Sequence, residues 1–242
     1  MSLFIVLTRG RTGSSPLVSD INQHPEIVCH QELFSSWPES LPDDLAPSYE
    51  SLKREGHVHS LQSYLDETIS VAPARLTGFK ILMQHFDERK DLGLEQFVFQ
   101  SRMPIIFLTR DPLRAAISAG IAKERKAFNR HAKETNREYI ERFKKKVTLS
   151  STYIVNEIKY YAYWQDSWRK KLSDIDAPHI EVTYEEYVIN RIHLLNRIYN
   201  YLGVSEMQRL DAPLYARVTS EDVWDDIVNA DEIRQALGLV SS

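Results

Sequence analysis

The stretch LFIVLTRGRTGSS, residues 3–15, decides the fold class of this chain. Residues 3–8 are a short apolar run rich in β-forming side chains, which predicts a buried strand. Residues 9–15 supply the Gly, Ser and Thr side chains typical of a loop. The apolar residues that follow predict a helix of two to three turns, with Ser14 or Ser15 as its N-cap. The chain therefore begins with a strand, a small-residue loop and a helix.

The rest of the chain repeats this alternation of strands and helices. Three further apolar runs have the length of buried strands, at residues 78–83, 104–109 and 180–183. Helical spacing of apolar residues predicts helices at 61–69, 112–142 with a break near Asn129, 153–172, 189–202 and 220–237. This alternation predicts an α/β fold: a P-loop-like parallel sheet flanked by helices, with a ligand crevice at the carboxyl ends of the strands. We expect a single domain over residues 1–242, with an irregular excursion or lid at 35–60.

Composition narrows the class of protein. The chain is 43% apolar and 26% charged, which excludes disordered and fibrous proteins. Its net charge of −4 argues against a nucleic-acid partner, although residues 110–146 carry twelve Lys and Arg against five Asp and Glu. We find no apolar run long enough for a membrane span and no signal peptide. The single cysteine, Cys29, indicates a reducing compartment, so we expect a cytoplasmic protein.

The loop at residues 9–15 is a candidate anion-binding site. A Gly- and Ser-rich loop that opens a helix presents backbone N–H groups to an anion, and Gly13 allows close approach. The nucleoside-triphosphatase motif requires a Lys directly after its second Gly, and Ser14 stands there instead. The loop therefore favours a phosphate or sulfate without ATP or GTP hydrolysis, and the alternative is an ordinary turn that begins a helix.

A second candidate anion site follows the predicted strand at 104–109. Arg110 would project from the carboxyl end of this strand into the crevice, and its planar guanidinium suits a phosphate. Ser118 lies two turns into the following helix and can reach the same anion. Alternatively, Arg110 and Asp111 form only a cap and an ion pair at the start of the helix. Two anion sites at neighbouring strand ends fit a ligand with two separated anionic groups.

Together these segments resemble the sulfotransferases that use 3′-phosphoadenosine 5′-phosphosulfate (PAPS). The family's first strand ends in a loop of the type Arg/Lys-Ser/Thr-Gly-Ser/Thr-Ser/Thr, and its members also carry Arg-Asp/Asn-Pro, an Arg or similar residue and then a Ser. The resemblance implies that a 5′-phosphosulfate binds to Arg11, Thr12, Gly13, Ser14 and Ser15. It implies that the 3′-phosphate binds to Arg110 and Ser118. The Lys- and Gly-rich closing loop of the animal cytosolic enzymes is absent, and Arg217 is our candidate for its replacement.

The finer pattern is most similar to the bacterial carbohydrate sulfotransferases, including the trehalose and nodulation-factor types. The matching segments include His24-Pro25, Glu32 and residues 78–82. The resemblance implies sulfuryl transfer from PAPS to a hydroxyl of a small-molecule or carbohydrate acceptor, without a metal. It implies that Arg11 stabilises the leaving group and that Glu32 is the general base, with His85 as the rival base.

Two other functions compete with this interpretation. One is a nucleoside or nucleotide kinase that binds ATP with magnesium, against which the missing Gly-Lys-Ser/Thr motif counts. The other is a non-catalytic nucleotide-binding scaffold whose basic residues 110–146 dock an acidic partner. In a scaffold, Arg11 and Glu32 would be dispensable.

Overall fold

The computed structural model describes residues 2–34, 61–70, 74–88, 90 and 93–239 of the 242-residue chain. The predicted lid at 35–60 lies outside the described residues. The single-domain organisation over residues 1–242 stays a prediction.

The described part of the chain is built on one parallel sheet. Its strands are β1 Ser2–Thr8, β2 Ile27–Glu32, β3 Leu76–Leu82, β4 Ile105–Thr109 and β5 His179–Thr183. The order across the sheet is β2-β3-β1-β4-β5, and every neighbouring pair is parallel. The strands β3 and β4 lie on opposite sides of β1. The chain connections that leave the carboxyl ends of the strands therefore run in opposite directions on either side of β1, and α/β proteins bind ligands at such a point.

The described helices cover both faces of the sheet. They are α1 Ser14–Ile21, α2 Leu61–Ser70, α3 Gln84–Glu88, α4 Leu94–Ser101, α5 Pro112–Arg125, α6 Arg137–Lys144, α7 Ser151–Asp174, α8 Tyr184–Ile189, α9 Arg191–Leu202 and α10 Ala230–Ala236. A short 3₁₀ turn at Val223–Asp226 precedes α10.

The alternation of side chains along β1 builds two core layers. Ile5 and Leu7 belong to a cluster that contains Trp168 of α7, whereas Phe4 and Val6 belong to one formed with α1 and α9. All four β1 side chains are completely buried. Since successive residues of a strand point to opposite faces, the continuous apolar run marks a strand covered on both sides. The predicted α/β class with a parallel sheet is confirmed.

The sequence prediction missed β2. Only the first three residues of Ile27–Glu32 are apolar, and the polar second half gives no strand signal. β2 is an edge strand whose only partner in the described sheet is β3. The second half of β2, residues 30–32, therefore needs no apolar run.

The predicted break near Asn129 in the helix at 112–142 is confirmed: α5 ends at Arg125, with Lys126 as its C-cap at a left-handed φ of 50°, and α6 begins at Arg137. Other helix predictions need correction. The short α8 before α9 was not predicted, and 220–237 contains only the 3₁₀ turn and α10. The predicted Ser14 or Ser15 cap is also wrong: Gly13 is the N-cap of α1, and no side chain caps this helix. The first N–H groups of α1 therefore have no side-chain cap and suit an anion.

Candidate active site

Buried threonines fix the shape of the loop between β1 and α1. The Thr12 hydroxyl hydrogen bonds with the Thr8 hydroxyl and donates to the Arg9 carbonyl oxygen at 2.8 Å. The Thr8 hydroxyl contacts the Leu108 carbonyl oxygen at 2.9 Å, which ties the loop to β4. Thr12 is only 1% exposed. Its side chain therefore supports the loop from within instead of facing a ligand.

Gly13 is required by both conformation and space. Its φ of 81° lies in the left-handed region that other residues rarely adopt. A Cβ at this position would lie 2.3 Å from Cδ2 of Tyr184, whose ring covers the glycine. The glycine thus lets the ring of Tyr184 close against the loop.

The loop lines a cleft of about 350 Å³ beside the ends of β1 and β4. The cleft brings together seven of the eight residues predicted to bind the donor: Arg11, Gly13, Ser14, Ser15, Arg110, Ser118 and Arg217. The eighth, Thr12, is the buried support of the loop. Two segments a hundred residues apart in sequence thus form one site.

The cleft is strongly cationic. Five arginines line it: Arg11, Arg110, Arg130, Arg191 and Arg217. No Asp or Glu is among the lining residues that the structure describes. Such a lining favours a ligand with several negative charges.

Sequence reasoning missed two of these arginines, Arg130 and Arg191. Arg130 lies in the basic run at 110–146 and its Nε is buried with no hydrogen-bond partner in the described chain. Arg191 is held by an ion pair with the buried Asp20 of α1 and belongs to no motif. The basic run is the one local signal that pointed toward Arg130.

Arg11 lines the cleft and contacts α5. Its Nη1 donates to the Phe128 carbonyl oxygen and its Nη2 contacts the Ser118 hydroxyl at 3.3 Å. Its Nε is buried and has no partner among the described residues. Burial, together with nearby Arg110, lowers the pKa of Arg11 to about 10. The guanidinium is therefore still charged at neutral pH, poorly solvated, and able to gain from a bound anion.

Arg110 is positioned by the loop and by an aromatic ring. Its Nη1 donates to the Arg11 carbonyl oxygen at 2.8 Å, and its Cζ lies 4.3 Å from the centroid of the Tyr184 ring. Burial is the main cause that lowers the pKa of Arg110, and its Nε has no partner in the described part of the chain. Asp111 caps α5 by accepting from the Arg114 N–H at 2.8 Å. Asp111, which caps the helix, and Arg110, which lines the cleft, are therefore adjacent residues with different roles.

A β-bulge turns Glu32 toward the loop. The β2–β3 register pairs His30 with Phe79 but Glu32 with Lys80, so Gln31 is the extra residue. Glu32 Oε1 lies 2.9 Å from the Nζ of Lys80, which is 2% exposed. The same Nζ donates to the Ser15 hydroxyl at 3.2 Å. Lys80 thus connects Glu32 to the cleft.

The two rival bases, Glu32 and His85, lie in one cluster. His85 Nε2 is 3.8 Å from Glu32 Oε2. The Leu82 N–H donates to His85 Nδ1 at 3.3 Å, which makes Nδ1 the acceptor nitrogen. In the neutral ring the proton is therefore on Nε2 and faces the Glu32 carboxylate. This tautomer leaves Glu32 as the proton acceptor of the pair.

Known proteins resemble this chain in sequence and in fold. No family model matches the chain. Nodulation protein H of Rhizobium tropici is 24% identical over 202 residues, which cover 83% of this chain and 75% of that protein. A crystal structure of a sulfotransferase from Alicyclobacillus acidocaldarius covers 99% of this chain and 94% of its own, with a TM-score of 0.54 at 15% identity.

The chain has a sulfotransferase fold. The resemblance to sulfotransferases predicted from the motifs is confirmed. A retinol dehydratase structure with androsterone and the inactive cofactor PAP is also similar, at 14% identity and a TM-score of 0.46, covering 98% of this chain and 79% of its own.

In this sulfotransferase fold, a buried ion pair anchors the exposed Arg217. Arg125 of α5 donates to the Val218 carbonyl oxygen at 3.0 Å and to Asp226 Oδ1 at 2.6 Å. The other carboxylate oxygen of Asp226 accepts from the Ser220 N–H at 2.6 Å. The pair thus fixes the segment that carries Arg217 along the edge of the cleft.

Two further findings concern metal binding and membranes. Over the described ranges, no group of three His, Cys, Asp or Glu side chains could hold a metal ion. Among the helices of the described residues, none is long and apolar enough to span a bilayer. The predicted independence from metal stays a prediction.

Proposed function

We propose that this chain transfers a sulfuryl group from PAPS to an acceptor hydroxyl. The observation that carries the proposal is the single cleft in which the β1–α1 loop, Arg110 and Ser118 meet, with five arginines and, among the described lining residues, no carboxylate. PAPS carries anionic groups at both the 5′ and the 3′ position. The guanidinium Nε atoms of Arg11 and Arg110 are buried without protein partners in the described chain, as expected of groups that meet an anion.

In the reaction, a bond forms between the acceptor oxygen and sulfur. The bond between sulfur and the bridging oxygen of the 5′-phosphate breaks, and adenosine 3′,5′-bisphosphate leaves. Negative charge grows on that bridging oxygen, so preorganised donors lower the barrier. We assign this stabilisation to Arg11, Lys80 and the uncapped N–H groups at the start of α1.

The acceptor hydroxyl must lose its proton as the new bond forms. Glu32 receives it in our proposal, because His85 directs its protonated Nε2 toward the same carboxylate. His85 is then a positioning residue that orients Glu32. Lys80 holds the other carboxylate oxygen.

The finer parts of the proposal concern acceptor and location. We propose a carbohydrate acceptor, supported by the motif pattern and by the similarity to a nodulation protein. A cytoplasmic location rests on the single, buried Cys29. No structural observation favours the kinase: Ser14 stands where that motif needs Lys.

A thermal-shift comparison tests the donor site. We expect adenosine 3′,5′-bisphosphate at about 100 times its Kd to stabilise the protein by about 2.7 kcal/mol, a rise in Tm of about 5–10 °C. The shift should persist in a metal chelator. ATP with magnesium and adenosine 5′-monophosphate are the controls. A larger shift with ATP and magnesium, and none with the bisphosphate, would refute the proposed function.

A further inference from the structure

Two buried polar side chains of α7 contact the backbone of the donor site. The Tyr161 hydroxyl donates to the Gly10 carbonyl oxygen at 2.8 Å, and the Gln165 amide donates to the Arg110 carbonyl oxygen at 2.7 Å. Tyr161 is 2% exposed and Gln165 is 9% exposed. Neither is among the described residues that line the donor cleft. Their hydrogen bonds therefore reach the donor site from behind, through its main chain.

These two hydrogen bonds hold the backbone at both anion-binding segments. Gly10 directly precedes Arg11 in the loop, and the other bond is made to Arg110 itself. The described ladder between β1 and β4 ends at the pair Thr8 and Leu108, so both carbonyl groups lie beyond it. A buried carbonyl group beyond a ladder needs another donor. The side chains of α7 supply it at both positions.

The regular spacing of α7 connects the two segments. Tyr161 and Gln165 are four residues apart, so they lie on one face of the helix with a rise of about 6 Å between them. One turn earlier on this face, Glu157 pairs with Arg9 at 3.2 Å. Three residues after Gln165, the completely buried Trp168 anchors the helix in the core. The distance between the two donor-site segments is therefore tied to the pitch of a rigid helix.

Both contacts have a defined polarity. A carbonyl oxygen only accepts, so Gln165 must direct its NH₂ group toward Arg110. Burial raises the pKa of Tyr161 to about 12, so its hydroxyl stays protonated and can donate at neutral pH. The Tyr161 ring packs on Ala115 and Ala116 of α5, which limits its movement.

We propose that Tyr161 and Gln165 are positioning residues, through which α7 sets the separation of the two anion-binding segments to match the two anionic ends of the donor. This role rests on the proposed sulfuryl transfer. Tyr161 acts through Gly10 on the aim of Arg11, and therefore on the rate of transfer. Gln165 acts through Arg110, and therefore on recognition of the 3′-phosphate. Displacements of about 1 Å at either segment are enough to matter for catalysis.

The test uses two conservative variants and two matched controls from the same helix. Tyr161→Phe removes the hydroxyl and retains the ring. Gln165→Met removes the amide and retains an unbranched side chain that adapts to its surroundings. Tyr163→Phe and Asn156→Ala remove an exposed hydroxyl and an exposed amide, and neither residue is among the described residues that line the donor cleft. Thermal unfolding verifies that each variant is folded.

The Gln165 variant is tested by ligand discrimination. We expect Gln165→Met to lower the affinity for adenosine 3′,5′-bisphosphate by about three- to tenfold, the range for one hydrogen bond, in a calorimetric titration. The affinity for adenosine 5′-monophosphate, which has no 3′-phosphate, should stay near the wild-type value. In an Arg110→Ala background, Gln165→Met should cause no further loss, because the side chain that it positions is gone. An equal loss for both ligands, or a full additional loss in the Arg110→Ala background, would overturn the role of Gln165.

The Tyr161 variant is tested by the rate of the chemical step. Single-turnover release of adenosine 3′,5′-bisphosphate from PAPS, with water as the acceptor and sulfate as the second product, requires no knowledge of the natural acceptor. We expect Tyr161→Phe to slow this release by about 10- to 100-fold while bisphosphate affinity changes little. A wild-type rate in Tyr161→Phe would overturn the role of Tyr161.

The controls separate this role from the proposed function. Both control variants should match the wild type in affinity and rate. Wild-type behaviour of Tyr161→Phe and Gln165→Met, in a protein that binds the bisphosphate, would overturn the role of α7 and leave the proposed function intact. A wild-type protein that binds no bisphosphate would refute the proposed function, and the role of α7 would fail with it.

Discussion

At the scale of single residues, Arg110 is held by one hydrogen bond and one ring contact, and its Nε has no partner in the described chain. Its Nη1 binds the Arg11 carbonyl oxygen, and its guanidinium packs on Tyr184. A guanidinium held in this way loses little freedom on binding a phosphate. This preorganisation is what makes Arg110 a candidate for recognition of the 3′-phosphate.

We therefore expect Arg110→Ala to weaken adenosine 3′,5′-bisphosphate binding by about 1.5–3 kcal/mol, the range for a charge-assisted hydrogen bond. Calorimetric titration measures the change. Arg114→Ala, in the first turn of α5 and exposed, is the control and should bind normally. An equal loss for adenosine 5′-monophosphate would show that Arg110 supports the loop and does not recognise the 3′-phosphate.

The two candidate bases, Glu32 and His85, differ in their ability to accept a proton, because the neutral His85 ring already carries its proton on the Nε2 that faces Glu32. Glu32→Gln should lower turnover by roughly 100- to 10,000-fold, the range for loss of a general base. Donor affinity, measured by the same titration, should stay near the wild-type value. His85→Ala should reduce turnover less, because it removes only the group that orients Glu32.

The buried Lys80 requires an additional variant. Because Glu32→Gln leaves the Lys80 charge uncompensated, thermal unfolding must accompany the kinetics. Glu32→Asp retains the charge but retracts the carboxylate, so it should remain folded with reduced turnover. If His85→Ala is the slower enzyme and Glu32→Asp is fully active, the base is His85.

At the scale of elements, the tight contact between the β1–α1 loop and α8 depends on Gly13. Gly13→Ala should destabilise the protein by about 1–2 kcal/mol from the left-handed backbone alone. The overlap with the Tyr184 ring adds to this cost and should weaken bisphosphate binding. Chemical denaturation and titration measure the two effects.

Gly93→Ala is the matched control for this change. Gly93 also has a left-handed φ, of 63°, but an added Cβ would meet no atom of the described residues within 4 Å. Gly93→Ala should therefore lower the free energy of unfolding through the left-handed backbone alone, without any loss of bisphosphate binding. Equal effects at both glycines would mean that the Tyr184 ring moves aside without cost.

At the scale of the whole molecule, the Arg125–Asp226 pair joins α5 to the segment that carries Arg217. Both residues are nearly inaccessible, at 4% and 5% exposure. We expect Asp226→Asn to cost about 3–5 kcal/mol, because it leaves a buried guanidinium without its counter-charge. Thermal unfolding should report a Tm lower by about 6–20 °C.

The comparable exposed pair, Arg234 with Asp231, provides the control. Asp231→Asn should change stability by less than about 1 kcal/mol. The Asp226→Asn protein should also bind the bisphosphate more weakly, since its Arg217 segment loses an anchor. A stable Asp226→Asn protein with normal binding would contradict the anchoring role.

The sequence by itself determined the sheet class, the β1–α1 loop and most of the residues that line the candidate donor cleft. These features are local: a continuous apolar run marks a strand buried on both faces, and a left-handed turn favours glycine. The Arg110 motif is local in part: a strand end and a capped helix start place this residue at the carboxyl edge of the sheet, whereas Arg11 and Tyr184 hold its side chain.

Tertiary structure alone decided how Glu32, Lys80 and His85 relate to one another. The bulge at Gln31, which aims Glu32 at Lys80, exists only in the pairing of β2 with β3. The His85 tautomer depends on the Leu82 N–H. Arg191, Arg125 and Asp226 likewise have partners far away in sequence. Such contacts are set by packing between elements, and no local pattern of residues encodes them.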